Sequence, residues 1–465
     1  MLDLLEELLS EFSGVGYGEL RFHERRRVQI AVRQGELETA SSTVYSGVGV
    51  RAFYRGGWGF SSTSRLDRED IKRAIHDAIR GAQASGKKGK EEAKLGEAKL
   101  AKGKFVPEIN DPLEDHPFEE KLTLVRAAEE KLRSYDFIAS AACSYIEDLD
   151  RKCIVTTDGA RAEIIDSKPE FRVLGVAADG DGGERERVEA FEAIGVTGGW
   201  RDLFKREPEE LVEIVAKRAS DLLKAKHPKG ERATVILDPA LVGLLAHEAI
   251  GHTVEADFVL AGAITQGKLK QRVASELVTL VDSGPPQFGE HPAGTVLVDD
   301  EGVLAERTVI IENGILKSYL HNRETAGIFG VRSTGNARAF EYSDEPLIRM
   351  RNTYIEPGEK DLEEMIAEVE EGYLLKGVGG GQADANAEFM FTVQEAYRIE
   401  DGKIGELLRG VAISGQAFEV LMSVDAVSKD FRFDLGAGYC GKLQPAKVDA
   451  GGPYLRCQAI IGGRR

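Results

Sequence analysis

The chain has 465 residues, of which 42% are hydrophobic and 30% are charged. It carries 79 acidic and 61 basic side chains, which gives a formal net charge of −18 at pH 7. The length and composition predict two or three domains with sizeable cores. The acidic balance speaks against direct binding of nucleic acid or of an anionic membrane surface, because both are negatively charged.

The sequence contains no apolar run of the length that a membrane-spanning helix needs. Its first residues, Met-Leu-Asp-Leu-Leu-Glu-Glu, indicate an acidic amphipathic helix rather than a signal peptide. The cysteines are too few and too scattered for a disulfide framework. We therefore expect a cytoplasmic protein. The cysteines are Cys143, Cys153, Cys440 and Cys457.

The first half of the chain alternates strand and helix signals and predicts an α+β domain. Residues 1–84 are expected to form this domain, and residues 105–228 to continue it. Residues 85–104 are rich in Lys, Glu, Gly and Ala and predict a charged linker or insert. Helices are expected at 69–84, 117–134 and 203–224. Strands are expected at 17–25, 27–33, 47–54, 57–62, 137–146, 152–157, 161–168 and 171–178.

Residues 229–465 predict a β-rich, sandwich or barrel-like domain that carries one chemically distinctive helix. Asn313-Gly314 between two apolar runs is a strong hairpin signal. The glycine-rich run 377–381 is expected to be a hairpin loop, and the backbone of Gly379, Gly380 and Gly381 would let a bound peptide approach closely. Strands are expected at 233–237, 295–299, 308–312, 316–321, 389–400, 403–411 and 454–461.

The distinctive helix follows the strand at 233–237. Asp238 offers a carboxylate N-cap, and Pro239 falls at the first helical position, where its missing N–H costs nothing. Further along, the same helix carries His247, Glu248 and His252. Two imidazoles and a carboxylate within six residues predict a metal centre with an adjacent general base.

The spacing H-E-x-x-x-H is one residue longer than the usual zinc-peptidase helix. On an ideal α-helix, positions five apart diverge by about 140°, which is too far for His247 and His252 to share a metal ion comfortably. A π-type turn, or a helix loosened at its last turn, would bring them together, and we expect Gly251 to tolerate such a distortion.

Two side chains compete for the place of the third ligand. Cys440 lies in a glycine-rich turn that could present its sulfur to a cleft, and Glu255 follows His252 by about one turn. The spacing alone does not choose between them. Glu255 and Asp257 are also candidates to support the ligands from behind without binding the metal.

These residues belong to a set of motifs that resembles the TldD branch of the TldD/PmbA family, metallopeptidases once described as modulators of DNA gyrase. The resemblance extends over nearly the whole chain. The motifs are His-Glu-Ala-Ile-Gly-His-Thr-Val-Glu-Ala-Asp at 247–257, Val-Ala-Ser-Glu-Leu at 273–277, Asp-Asp-Glu-Gly at 299–302, Ile-Glu-Asn-Gly-Ile-Leu-Lys at 311–317, Thr-Gly-Asn at 334–336, Arg-Met-Arg-Asn-Thr-Tyr at 349–354, Gly-Gly-Gly-Gln at 379–382 and Cys-Gly-Lys at 440–442.

The resemblance implies a zinc peptidase with one Zn²⁺ per chain, held by His247, His252 and Cys440, with Glu248 as the general base. It also implies a partner, a PmbA/TldE-like paralogue without the H-E-x-x-x-H helix, and unfolded peptides as substrates that enter a shared cavity.

Three other functional classes compete with this interpretation: a zinc hydrolase of a non-peptide amide, a non-catalytic regulatory subunit, and a DNA-topology modulator. Glu248 argues against the second and the net charge against the third.

Overall fold

The computed structural model describes residues 1–86, 94–179 and 186–463. Its N-terminal half is built on one sheet with the strand order β3-β2-β1-β5-β6-β4, and β7 also pairs with β6. All neighbours are antiparallel except β4 and β6. The strands are β1 (Tyr17–Arg33), β2 (Glu36–Tyr54), β3 (Gly57–Thr63), β4 (Lys102–Phe105), β5 (Ile138–Thr156), β6 (Arg161–Ala178) and β7 (Arg187–Gly195).

Several of these strands are longer than expected, because charged residues that look like breaks are paired inside the sheet. Arg25 and Asp150 face each other across β1 and β5, with Nε of Arg25 2.6 Å from Oδ1 of Asp150. Both side chains are buried, and their charges compensate each other there. The pairs of predicted strands that merge into single strands are 17–25 with 27–33, 137–146 with 152–157, and 161–168 with 171–178.

Helices cover the N-terminal sheet in two groups. In α2, Ile71, Ile75 and Ile79 recur every four residues and are buried against β2 and β3. The other group, α3 and α5, packs on β1, β5, β6 and β7. The helices are α1 (Leu2–Leu8), α2 (Arg68–Ser85), α3 (Phe118–Arg133), α4 (Trp200–Leu203) and α5 (Pro208–Leu223).

Residues 87–93, in the middle of the predicted charged segment 85–104, lie outside the described residues. Its described end contacts both halves of the molecule. The backbone N–H of Gly96 donates to the carbonyl of Arg323 at 2.7 Å, and Ala101 is fully buried. The following strand β4 pairs in parallel with β6.

The C-terminal half is β-rich, and five of its strands close a ring. The hydrogen-bonded neighbours run in the order β22 (Asp449–Gly463), β18 (Val411–Gln416), β16 (Glu388–Glu400), β15 (Glu371–Ala383) and β8 (Glu231–Leu237), and β8 pairs with β22 in turn. Six further strands extend the sheet beyond the ring, namely β14, β9, β10, β11, β17 and β19. This architecture confirms the α+β class with a barrel-like C-terminal domain.

The C-terminal strands are β8 (Glu231–Leu237), β9 (Leu280–Ser283), β10 (Arg307–Glu312), β11 (Ile315–Leu316), β12 (Ala337–Arg338), β13 (Leu347–Ile348), β14 (Asn352–Ile355), β15 (Glu371–Ala383), β16 (Glu388–Glu400), β17 (Lys403–Leu408), β18 (Val411–Gln416), β19 (Ala426–Phe433), β20 (Tyr439–Lys442), β21 (Gln444–Lys447) and β22 (Asp449–Gly463). The α-helices are α6 (Pro239–Leu244), α7 (Ala256–Leu260), α8 (Arg323–Phe329), α9 (Leu362–Ala367) and α10 (Ala417–Met422). None of the helices in the described ranges has the length and apolar character that crossing a membrane requires.

Of two local predictions for the C-terminal half, one is confirmed and the other is wrong. Asn313 and Gly314 both have positive φ and form the predicted hairpin turn between β10 and β11. The prediction of a hairpin loop at 377–381 is wrong, because these residues lie within β15 and pair with β16. The pairing shifts register between Val378 and Gly380, so the glycines form an irregular strand rather than a turn.

Candidate metal centre

The distinctive helix begins as the sequence predicts. The carboxylate of Asp238 accepts a hydrogen bond from the backbone N–H of Leu241 at 3.0 Å, and Pro239 is the first residue of α6. The same carboxylate accepts from the N–H of Gly377 in β15 at 2.8 Å. Asp238 therefore attaches the start of the helix to the glycine-rich strand, and burial raises the pKa of this carboxyl to about 6.

After Leu244 the helix widens into a π-helix, Leu245–Gly251, and this confirms the predicted distortion. The backbone N–H of His252 bonds to the carbonyl of His247, five residues earlier, as the π-helical pattern requires. The two imidazole rings consequently face each other with centroids 5.3 Å apart. One short 3₁₀ turn, His252–Val254, then ends the element.

Gly251 is needed here for space rather than for an unusual backbone. Its φ and ψ are −54° and −48°, which any residue can adopt. A Cβ atom at this position would lie 1.9 Å from the sulfur of Met350, which is fully buried. The close approach of the π-helix to Met350 therefore depends on a residue without a side chain.

Cys440 reaches the two histidines from a distant hairpin formed by β20 and β21. Its Sγ lies 3.3 Å from Nε2 of His252, and the ligand atoms of His247, His252 and Cys440 all lie within 4.8 Å of one another. His247 and Cys440 are buried, and His252 is half-buried. The fully buried Arg349 holds the hairpin, because its guanidinium donates to the carbonyls of Cys440 and Gln444.

The electrostatics of this cluster favour a thiolate. Burial raises the pKa of the Cys440 thiol, but the imidazoles of His247 and His252 outweigh it and lower the pKa to about 4. Burial lowers the pKa of His252, whereas its contacts with Cys440 and Glu255 raise it to about 10. The thiolate is the form of cysteine that binds a metal ion.

Glu255 lies on the other side of the His252 ring from Cys440. Its Oε2 is 3.1 Å from Nδ1 of His252, whereas the cysteine sulfur is beside Nε2. Glu255 is fully buried. The structure thus gathers Cys440 with the two histidines and places Glu255 where it orients one of them.

The other two acidic candidates also lie near the cluster. Oε2 of Glu248 is 3.7 Å from Nε2 of His252, and the Glu248 side chain keeps 29% of its surface exposed, so that water can reach it. Asp257 does not touch the histidines in the described contacts; its carboxylate binds Lys442, with Oδ1 2.9 Å from Nζ.

Gly379, Gly380 and Gly381 are exposed on β15. On one side β15 pairs with β16 along its length, and on the other it pairs with β8 only from Gly372 to Leu375. Among the described residues, the glycines therefore lie on a strand edge that carries no partner strand.

Sequence reasoning missed Lys442 and Arg349 as individual parts of this centre. For Lys442 a signal was available, because residues two apart on a strand point to the same face, and Lys442 follows Cys440 by two. For Arg349 no such signal exists, since its contact with the hairpin is a purely tertiary one.

Three family models match the chain. The PmbA/TldA metallopeptidase domain 1 matches residues 18–82, the central domain residues 111–223, and the C-terminal domain residues 230–462. The chain belongs to the PmbA/TldD family.

Relatives within the PmbA/TldD family carry metalloprotease names. A "Metalloprotease" of Methanothermobacter thermautotrophicus is 35% identical over 99% of both chains. The "Zinc metalloprotease TldD homolog" of Saccharolobus solfataricus is 30% identical over 98% of both chains. The crystal structure of TldE from Thermococcus kodakarensis has the same fold, with a TM-score of 0.77 and 21% identity, over 99% of this chain and 100% of that one.

Proposed function

We propose that this chain is the catalytic subunit of a zinc-dependent peptidase that cleaves unfolded peptides together with a PmbA/TldE-like paralogue. The observation that carries the proposal is the convergence of His247, His252 and Cys440 beside the partly exposed Glu248. Two imidazoles and a thiolate form a donor set typical of zinc sites in enzymes.

The chemistry of the donors fits one zinc ion. Within the described part of the chain, neither ring nitrogen of the buried His247 has a hydrogen-bond partner. Buried polar atoms without partners are costly, so a ligand at this position would remove a penalty. When bound there, Zn²⁺ would lower the pKa of a coordinated water and polarise a carbonyl group.

The chain's own residues supply the proton chemistry and the orientation. Glu248 is placed to accept a proton from the attacking water and to deliver it to the departing amine. Glu255 holds Nδ1 of His252, so that Nε2 points to the cluster. A carboxylate behind a ligating imidazole fixes both its tautomer and its direction.

The free edge of β15 supports an extended peptide as the substrate. A peptide that adds as a strand bonds through its backbone, and such binding tolerates many side chains. Gly379, Gly380 and Gly381 leave this edge open to a close approach. Asp238 bonds both Gly377 in this strand and the first turn of the helix that leads to His247, so the edge and the metal helix have a fixed relation.

The paralogous partner is supported by fold and by family membership. TldE shares this fold over the whole chain, and a second subunit could enclose the site and admit only unfolded chains.

The test combines zinc analysis with hydrolysis of casein-like and short unstructured peptides, with and without the partner. We expect little or no cleavage by the chain alone, cleavage when the partner is added, and cleavage reduced about 10²–10⁴-fold when the added partner is combined with the Glu248→Gln variant. Cleavage of a compact folded protein by this chain alone would contradict the enclosed site; no peptide cleavage by the zinc-loaded pair would favour a non-peptide amide as substrate.

A further inference from the structure

Lys442 lies almost fully buried beside the metal centre, with 8% of its side chain exposed. Its Nζ is 3.2 Å from Oε2 of Glu255 and 2.9 Å from Oδ1 of Asp257, and it donates to the carbonyl of Ile348 at 3.1 Å. The ammonium also lies 4.2 Å from the centre of the Phe258 ring. These contacts fix the position of a side chain that is usually mobile and exposed.

Glu255 is the link between Lys442 and the cluster. The same oxygen, Oε2, is within hydrogen-bond distance of Nζ of Lys442 and of Nδ1 of His252. Glu255 has no exposed surface, and burying a carboxylate is costly unless a cation or several hydrogen bonds compensate it. Lys442 supplies that positive charge at the same oxygen that contacts Nδ1 of His252.

We propose that Lys442 is a positioning residue of the metal centre: it holds Glu255 in place, and through Glu255 it aims Nε2 of His252 at the site where Cys440 presents its sulfur. This inference rests on the proposed function, in which His252 and Cys440 bind the metal. It adds a residue that touches none of the ligand atoms.

The geometry of the hairpin makes this arrangement compact. Cys440 and Lys442 are two residues apart on β20, so their side chains leave the strand on the same face. The sulfur meets His252 at Nε2, and the ammonium reaches the carboxylate that binds Nδ1. One strand therefore acts on both nitrogens of the same ring, directly on one and through Glu255 on the other.

The alternative is that Lys442 merely anchors the hairpin, and Lys447 provides the matched control. Lys447 lies on β21 of the same hairpin, is 5% exposed, and forms a buried ion pair with Glu170 of β6. It has no contact with Glu255 or the histidines among the described contacts. Lys442→Met and Lys447→Met thus remove a buried ammonium from one hairpin, and only the first removes the link to His252.

The experiment measures zinc affinity by competition with a chelator, together with the absorption of the Co²⁺-loaded protein, whose thiolate and ligand-field bands report the coordination. Removal of a group that bonds a ligating imidazole typically weakens metal binding about 10–100-fold. Lys442 acts one contact further away, through Glu255, so for Lys442→Met we expect a loss near the lower end, about 10-fold, together with a changed Co²⁺ spectrum. Lys447→Met should keep the wild-type affinity and spectrum, and Lys442→Arg should recover part of the loss. Equal affinities of Lys442→Met and wild type, or equal losses in the two methionine variants, would overturn the proposal.

A double-mutant cycle with Glu255→Gln tests the route of the effect and does not depend on the stability of any one variant. If Lys442 acts through Glu255, the Lys442→Met change should weaken zinc binding little further once Glu255 is Gln. Additive losses would overturn the proposal. Failure of the metal site on which the proposed function rests gives a different result, since wild-type protein would then bind no zinc and show no thiolate band with Co²⁺. Failure of the peptidase activity alone would leave the zinc affinities of the variants unchanged relative to one another.

Discussion

The Sγ atom of Cys440 lies 3.3 Å from Nε2 of His252, although 188 positions separate the two residues in the chain. Two further features of the fold position these residues. The π-helix turns His252 towards His247, and Arg349 holds the carbonyl of Cys440 so that the hairpin presents its sulfur inward. The centre therefore depends on the fold of the whole C-terminal half rather than on the helix alone.

Replacement of Cys440 should remove the metal. We expect Cys440→Ala to lose most of its zinc, because two imidazoles alone are a weak set of donors. Cys457→Ala is the matched control, since Cys457 is equally buried but lies in the core of β22, away from the cluster. Zinc content after dialysis, measured by elemental analysis, checks the prediction. A variant Glu255→Ala that loses zinc while Cys440→Ala keeps it would show that the third ligand is Glu255.

Glu248→Gln should separate metal binding from catalysis. The amide has nearly the same shape as the carboxylate but cannot accept the water proton, and loss of a general base costs about 10²–10⁴-fold in rate. We expect full zinc content, an unchanged melting temperature and peptide hydrolysis reduced by this factor when the partner is present. Wild-type rates in this variant would exclude Glu248 as the base.

Gly251→Ala should destabilise the π-helix through a steric clash. The new Cβ would lie 1.9 Å from the Met350 sulfur in a packed core, and overpacking of this kind costs about 1–3 kcal/mol in the free energy of unfolding. Gly462→Ala is the control, because a Cβ there meets no atom within 4 Å. Chemical denaturation of both variants checks the difference. Equal stability of Gly251→Ala and wild type would mean that Met350 can move aside freely.

Acid should destabilise the protein in part through His321. Burial lowers the pKa of this imidazole from 6.5 to about 4, and its side chain is almost inaccessible. Above pH 6.5 the imidazole is neutral in both states and costs nothing. As the pH falls from 6.5 towards 4, the unfolded chain takes up a proton that the folded chain resists, and the free energy of unfolding drops by up to about 3 kcal/mol.

The variant His321→Asn isolates this contribution. The amide can replace the contact that Nδ1 makes with Oγ1 of Thr325 at 3.1 Å, but it does not titrate. Between pH 7 and pH 4.5, the free energy of unfolding should therefore fall less in the variant than in the wild-type protein. The same decrease in both proteins would assign the acid sensitivity to other groups.

Local signals predicted the parts of the centre that lie within one stretch of chain. Asp238 and Pro239 favour the start of a helix, because one caps it and the other fits its first position. The spacing of His247 and His252 predicted a distortion, either a π-turn or a loosened last turn, if the two side chains were to meet. The choice between Cys440 and Glu255 could not be made in this way. It depends on which side of the His252 ring each group occupies, and that is set by the approach of a hairpin from far along the chain.

The errors in the fold prediction also have tertiary causes. Charged residues such as Arg25 and Asp150 normally mark strand ends, but here each neutralises the other within the sheet. A glycine-rich run such as 377–381 usually indicates a turn. In this structure β16 lies beside them and Asp238 binds the N–H of Gly377, so the backbone stays extended with a local irregularity.

The late position of β22 in the chain determines when the C-terminal domain can close during synthesis. β22 pairs with β8, β14, β18 and β19, all of which precede it in the chain. Because translation proceeds from the N-terminus, domains fold as their segments emerge, and the ring stays open until β22 has left the ribosome. Cys440 emerges only shortly before this strand. A nascent chain therefore carries the histidines without their sulfur partner, and the cluster of His247, His252 and Cys440 can assemble only after Cys440 has emerged.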